Sequence, residues 1–305
     1  MIKLEQLKNP GILYSLINAL LLGIIGALAK KVSFTMPSSE IVFFRGVFSL
    51  IIIASIMIYR KDSFLAGNKK MLITRGIFGG LGLLTFFYTI SQMKLGDASI
   101  LLQMAPVFVI IFAKLFLKES IPKSFYFILV LALAGAVFVI KPTFENLISF
   151  PAITGISSAI FAAAAYISIR KLGLHHSPFL ITCYFIGGSI LFSIPLMISS
   201  FKIPTPSEIF YLLIIGVFSA LGQICLTRAY QMEKAGIVSI IGYSAVIHHG
   251  FWGYFAFGEL LDVYSIIGGT LILICCTYIM LQGAFTQKKI ARLFTNNFPL
   301  DSINK

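Results

Sequence analysis

The sequence predicts an all-α integral membrane protein of ten transmembrane helices, arranged as two inverted five-helix repeats. Three observations lead to this prediction: the apolar composition, ten apolar runs of membrane-spanning length, and a match of the chain to itself at an offset of 140 residues. Of the 305 residues, 58% are hydrophobic and 11% are charged, whereas a soluble globular domain carries about 25% charged residues. The mean hydropathy of +0.95 likewise indicates a lipid bilayer as the solvent.

The ten apolar runs are each close to the ~20 residues that a helix needs to cross a membrane. They are residues 11–29, 40–59, 71–92, 97–117, 123–140, 151–169, 178–200, 206–231, 236–257 and 262–283. Because lipid cannot form hydrogen bonds with free backbone groups, we expect helices rather than open strands.

The basic residues are distributed unevenly between the two ends of these runs. Of the 24 Lys and Arg residues, fifteen fall on the side of the N-terminus, five fall on the opposite side and four lie within spans. Cytoplasmic loops collect Lys and Arg, so we expect a multi-pass inner-membrane protein with both termini in the cytoplasm. The formal charge of +13 therefore does not require a nucleic-acid partner, and we expect none.

The internal match joins residues 72–119 to residues 212–259 without a gap. Apolar composition does not explain matched Gly, Lys, Ser and Glu in one register. The pairs include Gly82/Gly222, Lys94/Lys234, Ser99/Ser239 and Glu119/Glu259. Five spans in each half would invert the second half, a plan common among secondary transporters. We expect repeats at 10–141 and 151–283, followed by a cytoplasmic tail at 284–305.

Six short stretches resemble the EamA family of the drug/metabolite transporter superfamily. They are residues 43–46 (Phe-Phe-Arg-Gly), 75–82 (Arg-Gly-Ile-Phe-Gly-Gly-Leu-Gly), 95–99 (Leu-Gly-Asp-Ala-Ser), 105–108 (Ala-Pro-Val-Phe) with 117–119 (Leu-Lys-Glu), and 257–259 (Phe-Gly-Glu). The resemblance covers roughly residues 10–283 and implies ten helices, alternating access and small-metabolite substrates. The first two stretches are most similar to the branch of S-adenosylmethionine, riboflavin and organic-anion carriers, which leaves the substrate open.

Three arginines within spans are candidate substrate-binding residues. They are Arg45, Arg75 and Arg228. A charge at the centre of a bilayer costs about 3 kcal/mol, so each is a functional candidate. Snorkelling to the headgroups is the alternative for Arg75 and Arg228, and a structural hydrogen bond is the alternative for Arg45. Since the acids lie only at span edges, the interior favours a substrate with a carboxylate or phosphate group, or a zwitterion.

Further polar and aromatic side chains within spans complete the predicted binding site. They are Tyr88, Gln103, Tyr166, Gln223 and Tyr243. Gln103 aligns with Tyr243 in the repeat, so both halves place a polar group at one level. Lipid-facing packing is the alternative for the aromatic residues.

Span 9 contains two adjacent histidines near its centre. His248 shares a helix face with Ser244 and Trp252, at i−4 and i+4. We expect this face to line the cavity, with His248 binding the substrate or carrying a coupling proton. His249 lies on a face of small residues, and we expect a structural interhelical bond there. The alternative is that both histidines only pack; a metal site is not expected, because adjacent side chains diverge.

Three further residues are predicted to be structural. Pro106 interrupts span 4, and because Val246 stands at the equivalent position, we expect this break in the first half only. Glu119 and Glu259 end spans 4 and 9, and we expect each carboxylate to accept from the backbone of the following helix.

These features favour a secondary active transporter over two alternatives, a lipid or lipid-linked substrate flippase and a membrane-embedded enzyme. The sequence has no nucleophile–base set of the kind that an enzyme needs. It also has no phosphate-binding glycine loop of the kind that an ATPase needs. The expected partners are a small metabolite, the bilayer and a coupling proton, with no cofactor. Import or export, the coupling ion and the oligomeric state stay open.

Overall fold

The computed structural model describes residues 9–92, 101–140, 149–198, 201–258 and 263–297, and these residues contain helices and no strand. The helices are α1 (Pro10–Ser33), α2 (Ser38–Tyr59), α3 (Lys69–Gln92), α4 (Ala105–Phe116), α5 (Lys123–Ile140), α6 (Phe150–Leu172), α7 (Pro178–Ile198), α8 (Pro206–Met232), α9 (Ala235–Gly242), α10 (Ser244–Phe257) and α11 (Val263–Asn297). A 3-10 turn over Gly173–His175 joins α6 to α7. The predicted all-α fold is confirmed for these residues.

Six of these helices, α1, α2 and α5 to α8, are long and apolar enough to cross a membrane. In the described part of the chain, the remaining predicted runs correspond to α3, the shorter α4, the pair α9 and α10, and α11. The last helix continues to Asn297, so it extends into the residues expected to form the tail.

Three helices begin with a side-chain cap at the residue before a proline-containing first turn. Asn9 accepts from the backbone of Gly11 at 3.1 Å, Ser149 from Ala152 at 3.3 Å and Thr205 from Glu208 at 3.4 Å. The first turn of a helix leaves its N–H groups unpaired, so a polar cap and a proline both suit these positions. Asn9 and Ser149 are 140 positions apart, which extends the repeat to the start of each half.

The helices of the two halves interlock. The main packing pairs are α3 with α6 and α7, α1 with α8 and α10, α2 with α7 and α8, and α5 with α11. Shifting the chain by 140 residues converts the α3–α6 contact into the α8–α1 contact, and α3–α7 into α8–α2. Among the described residues, the largest buried apolar cluster joins α2, α3, α6, α7 and α8 and includes residues of α4 and α9.

Predicted spans 4 and 9 are both interrupted, at equivalent positions of the two halves, and the two interruptions are in contact. Gln103 and Met104 precede α4, and Tyr243 separates α9 from α10. The Tyr243 hydroxyl donates to the Gln103 carbonyl at 2.7 Å. At each interruption the backbone makes a tight turn, in which an N–H donates to the carbonyl three residues earlier. For example, the Tyr243 N–H donates to the Ile240 carbonyl at 3.1 Å.

The expectation of a break in the first half alone was therefore wrong. The tight turn in span 9 forms without a proline. Pro106 lies in the first turn of α4, where its missing N–H removes no helical bond. The interruption thus belongs to both halves, and Pro106 only accommodates it in one.

Candidate functional site

Arg75 is buried in the largest apolar cluster. It is the seventh residue of α3 and is 1% exposed. Its Nη2 donates to Gln223 Oε1 on α8 at 3.3 Å, while its Nε has no partner among the described residues. A buried polar group without a partner costs free energy, so pairing this nitrogen with a hydrogen-bond acceptor would be favourable.

Aromatic rings enclose the Arg75 guanidinium. Its central carbon lies 4.2 Å from the ring centre of Phe185 on α7 and 5.9 Å from that of Tyr166 on α6. Tyr166 stacks in turn on Tyr230 of α8, with ring centres 4.9 Å apart and an angle of 15° between planes. Cation–π contacts stabilise a desolvated guanidinium, but they do not neutralise its charge. We refer to Arg75, Tyr166, Phe185, Gln223 and Tyr230 as the Arg75 cluster.

The glycines that follow Arg75 allow α3 to approach α7 closely. A Cβ at Gly79 would lie 2.4 Å from the Phe185 ring and 3.0 Å from Arg75 Nη1. A Cβ at Gly188 on α7 would lie 2.2 Å from the Gly76 carbonyl oxygen. The Arg-Gly-Ile-Phe-Gly-Gly stretch therefore places the guanidinium directly on the ring of Phe185.

No carboxylate of the described residues forms an ion pair with Arg75. A guanidinium presents a planar array of donors that matches a carboxylate in a bidentate pair. The cluster therefore has the chemistry needed to pair with a carboxylate.

A cavity of about 370 Å³ lies at the end of the molecule that carries the α2–α3 and α6–α7 links. It is lined by Tyr14, Arg60, Asp62, Leu174, His175, His176, Ser177, Pro178, Phe179, Ile224 and Arg228. Arg228 is half-buried and is placed here, on a different face of α8 from Gln223 and Tyr230. We refer to this space as the Arg228 cavity.

Three of the predicted binding residues, Arg75, Tyr166 and Gln223, are thus brought together, and Arg228 lies nearby in the cavity wall. Arg45 is half-buried on α2 and has no partner among the described residues. Tyr88 lies near the other end of α3, where its ring makes an edge contact with Phe150 at 5.9 Å.

Gln103 and Tyr243 meet each other rather than the Arg75 cluster. Tyr243 is 1% exposed and packs in a second apolar cluster, formed mainly by α4, α5, α9 and α11 with residues of α1 and α10. Its hydroxyl is engaged by the Gln103 carbonyl. Gln103 and Tyr243 thus lie where the two interrupted helices cross.

The predicted stripe of span 9 lies on α10, which packs against α1. The Ser244 hydroxyl donates to the Ile241 carbonyl, three residues earlier in the chain, at 2.7 Å. Its hydrogen is therefore already used in a local hydrogen bond. Trp252 is half-buried, and its indole nitrogen has no partner among the described residues.

Both histidines contact glycines of α1. A Cβ at Gly23 would lie 2.5 Å from the Cβ of His248, and a Cβ at Gly26 would lie 2.6 Å from the ring of His249. His249 Nε2 lies 3.1 Å from Leu22 O. Neither histidine lies in the Arg75 cluster or lines the Arg228 cavity, and no group of three His, Cys, Asp or Glu in the described residues has metal-binding geometry.

Glu119 accepts from a different helix than expected. Its Oε1 accepts from Arg170 Nε at 2.8 Å, and its Oε2 accepts from the backbone of Ala235 at 3.2 Å. Ala235 begins α9, not the following helix α5. Because the adjacent ends of α4 and α9 pack together, the unpaired N–H of α9 is within reach of this carboxylate. Glu259 lies outside the described residues.

The sequence reasoning missed Phe185 and Tyr230. Tyr230 follows Gln223 by seven residues, which places both on one helix face, and this spacing was the available signal. Phe185 carries no such signal, because a phenylalanine over a cation cannot be told from a packing phenylalanine by sequence.

Comparisons with known proteins identify relatives along nearly the whole chain. The model of the EamA-like transporter family matches residues 9–141 and 149–281. The "Pseudopaline exporter CntI" of Pseudomonas aeruginosa is 39% identical over 274 residues, covering 90% of this chain and 96% of that protein. An "Uncharacterized transporter" of Helicobacter pylori is 31% identical over 289 residues, covering 92% and 97%.

Two more distant similarities concern a named carrier and a solved fold. The "S-adenosylmethionine uptake transporter" of Rickettsia bellii is 24% identical over 263 residues, covering 86% of this chain and 89% of that protein. A crystal structure superposes with a TM-score of 0.77 at 13% identity, covering 91% of this chain and 98% of that one. The latter similarity concerns the fold alone.

Proposed function

Because the chain belongs to the EamA-like transporter family, we propose that it is a secondary active transporter of a small anionic or zwitterionic metabolite, working by alternating access across the inner membrane. The main support for the proposal is the environment of Arg75. Its guanidinium is buried, is in contact with aromatic rings and has no carboxylate partner among the described residues. The substrate would supply the missing anion.

We propose a topology of ten spans in two inverted repeats, at 10–141 and 151–283, with both termini and the residues from 284 onward in the cytoplasm. The excess of basic residues on the N-terminal side supports this orientation. The symmetric pairing of α3–α6 with α8–α1 supports the two repeats. In this orientation the Arg75 cluster lies in the cytoplasmic half, since Arg75 is roughly 9 Å from the start of α3.

The mechanism follows from the cost of enclosing a charge. An unpaired guanidinium in a closed, dry site is unfavourable, whereas one paired to a carboxylate is much less so. A substrate carboxylate on Arg75 would therefore favour the closed state over states open to water, which is the differential affinity that alternating access needs. Gln223 would hold the guanidinium in place, and the Tyr166–Tyr230 stack would cover the apolar part of the substrate.

The direction we propose is export, since the relative that is 39% identical is named an exporter. Pseudopaline is then the first candidate substrate to assay. S-adenosylmethionine, the compound in the name of the 24% identical relative, is the second. A coupling proton on His248 remains part of the proposal, acting through the α1–α10 contact rather than inside the Arg75 cluster. A lipid flippase is the alternative, and it would not move a water-soluble metabolite.

The test is transport by the purified protein in sealed vesicles, with labelled pseudopaline and labelled S-adenosylmethionine as separate substrates. Replacing Arg75 by Gln removes the charge that pairs with the substrate, and hydrogen bonds to charged groups contribute about 2 kcal/mol, so transport should fall about thirtyfold. Arg75→Lys should recover only part, because it loses the bidentate fork.

The matched control is Lys114→Gln, which removes the same charge from an exposed position on α4 and should leave transport unchanged. Equal transport by Arg75→Gln and the parent protein would contradict the proposed site. Transport of neither soluble compound, together with transfer of labelled lipid between leaflets, would favour the flippase.

A further inference from the structure

We propose that the Arg228 cavity is a separate entry site, where the carboxylate of a small organic anion binds before it passes to Arg75. This role presupposes the proposed transport but concerns other residues. At about 370 Å³, the cavity falls within the usual range of small-molecule pockets. It opens where α1, α2, α7 and α8 have their ends on one side of the molecule.

The charges around the cavity leave one cation uncompensated. Asp62, the acid of the lining, lies 3.5 Å from Arg60 and accepts from Ser177 Oγ at 3.2 Å. Arg60 also lies over the ring of Phe179 at 5.3 Å. Arg228 has no hydrogen bond or ion pair among the described residues, so its guanidinium is the group that can bind an anion.

The cavity wall beside Arg228 is fixed by His176. Its Nε2 accepts from the backbone N–H of Asn68 at 3.0 Å. An accepting nitrogen carries no proton, so the proton lies on Nδ1, which donates to Leu172 O at 2.8 Å. With both nitrogens engaged, His176 ties the α2–α3 link to the α6–α7 link and does not compete for the anion.

The remaining polar groups suit a carboxylate on a small organic molecule. Tyr14 places a phenol in the wall, and Phe179 and Ile224 provide apolar surface. A guanidinium with a phenol can bind both oxygens of a carboxylate. The same chemistry recurs at Arg75, where an aromatic pair accompanies the guanidinium, so one substrate group would fit both sites.

A contact between two threonines lies between the two arginine sites. Thr182 and Thr227 are both fully buried, and their hydroxyl oxygens are 3.3 Å apart across α7 and α8. Along α7, Thr182 is four residues from Pro178 in the cavity wall and three from Phe185 in the Arg75 cluster. On α8, Thr227 is four residues from Gln223 and next to Arg228. Separation of α7 from α8 at this contact would join the sites.

The cavity potential can be measured without knowledge of the natural substrate. Ile224→Cys places a thiol in the cavity wall, and its reaction rates with the anionic reagent methanethiosulfonate ethylsulfonate and its cationic trimethylammonium analogue report the local charge. The parent protein, with its four native cysteines, gives the background rates. Adding Arg228→Gln should lower the anionic-to-cationic rate ratio at least about threefold, since a unit charge is removed within a few ångströms of the thiol.

The matched control is Lys202→Gln, which removes one exposed positive charge at the opposite end of the molecule and should leave the ratio unchanged. Leu174→Cys, at an exposed position in the cavity wall, repeats the measurement should Ile224→Cys fail to fold. An unchanged ratio in Arg228→Gln would overturn the entry site, as would an equal drop in Lys202→Gln. Arg75→Gln should leave the ratio unchanged, so failure here is separable from failure of the Arg75 site.

Discussion

Arg75 is the residue that connects the chemistry of the chain to its proposed function. A guanidinium in a dry interior is stabilised by pairing, and the described residues provide it with an amide and two rings instead of a carboxylate. Rings attract a cation through their quadrupoles and leave its net charge intact. In the proposed mechanism, pairing of this charge with a substrate anion supplies the energy of binding.

The two histidines of α10 offer a second test on single residues. His249 is engaged by Leu22 O, whereas the contact of His248 with α1 is through its backbone and Cβ at Gly23. If His248 carries the coupling proton, His248→Gln should flatten the pH dependence of transport over about pH 5 to 8, where histidine titrates. His249→Gln should keep that dependence.

Transport assayed across this range decides between the two histidines. Loss of the pH dependence in His249→Gln alone would mean that the roles are reversed. Unchanged profiles in both variants would mean that the pair only packs against α1.

At the scale of elements, the close approach of α3 and α7 supports the Arg75 cluster. A Cβ at Gly188 would lie 2.2 Å from the Gly76 carbonyl, whereas a Cβ at Gly187 would meet no atom within 4 Å. Gly188→Ala should therefore destabilise the protein by about 1–3 kcal/mol through overpacking. Gly187→Ala, the adjacent control, should be neutral or slightly stabilising because alanine favours helix.

Thermal unfolding of the two variants in the same detergent measures this difference. A melting temperature of Gly188→Ala equal to that of Gly187→Ala would show that α3 and α7 are not in close contact in the protein in solution.

The interrupted helices illustrate what the sequence could and could not predict about elements. Apolar runs of about 20 residues locate helices, because the bilayer leaves few alternatives. Whether a run contains a tight turn depends on its tertiary neighbours, so the turn at Tyr243 has no proline to mark it. The same limit applies to Glu119, whose partner at Ala235 is distant in sequence.

For the site, charged and polar residues in apolar runs were informative and phenylalanines were not. Arg75 stood out because a buried charge is costly, and Gln223 and Tyr166 were selected with it as polar groups within spans. Phe185 did not stand out among the 29 phenylalanines of the chain, since its position over a cation depends on the α3–α7 packing. The sequence placed Arg228 in the same site as Arg75, whereas the structure assigns it to a separate cavity.

At the scale of the whole molecule, the orientation in the membrane is the first property to test. In intact cells, cysteines introduced as Lys3→Cys and Lys288→Cys should be shielded from a membrane-impermeant reagent, because both positions are predicted to be cytoplasmic. Lys202→Cys, on the opposite side, should react and serves as the positive control. Labelling of either terminal position from outside would contradict the topology.

The claim that the positive charge of Arg75 lacks an anionic partner can be tested by introducing a carboxylate beside it. Gln223→Glu changes one heavy atom of a side chain that already contacts Arg75 Nη2 at 3.3 Å, and it places a carboxylate against the guanidinium that the substrate's carboxylate would bind. We expect a higher melting temperature, because the buried guanidinium gains a charged partner. We also expect loss of pseudopaline and S-adenosylmethionine transport, because the internal carboxylate neutralises the charge that attracts the substrate. An unchanged melting temperature with full transport would contradict the claim that Arg75 binds the anionic group of the substrate.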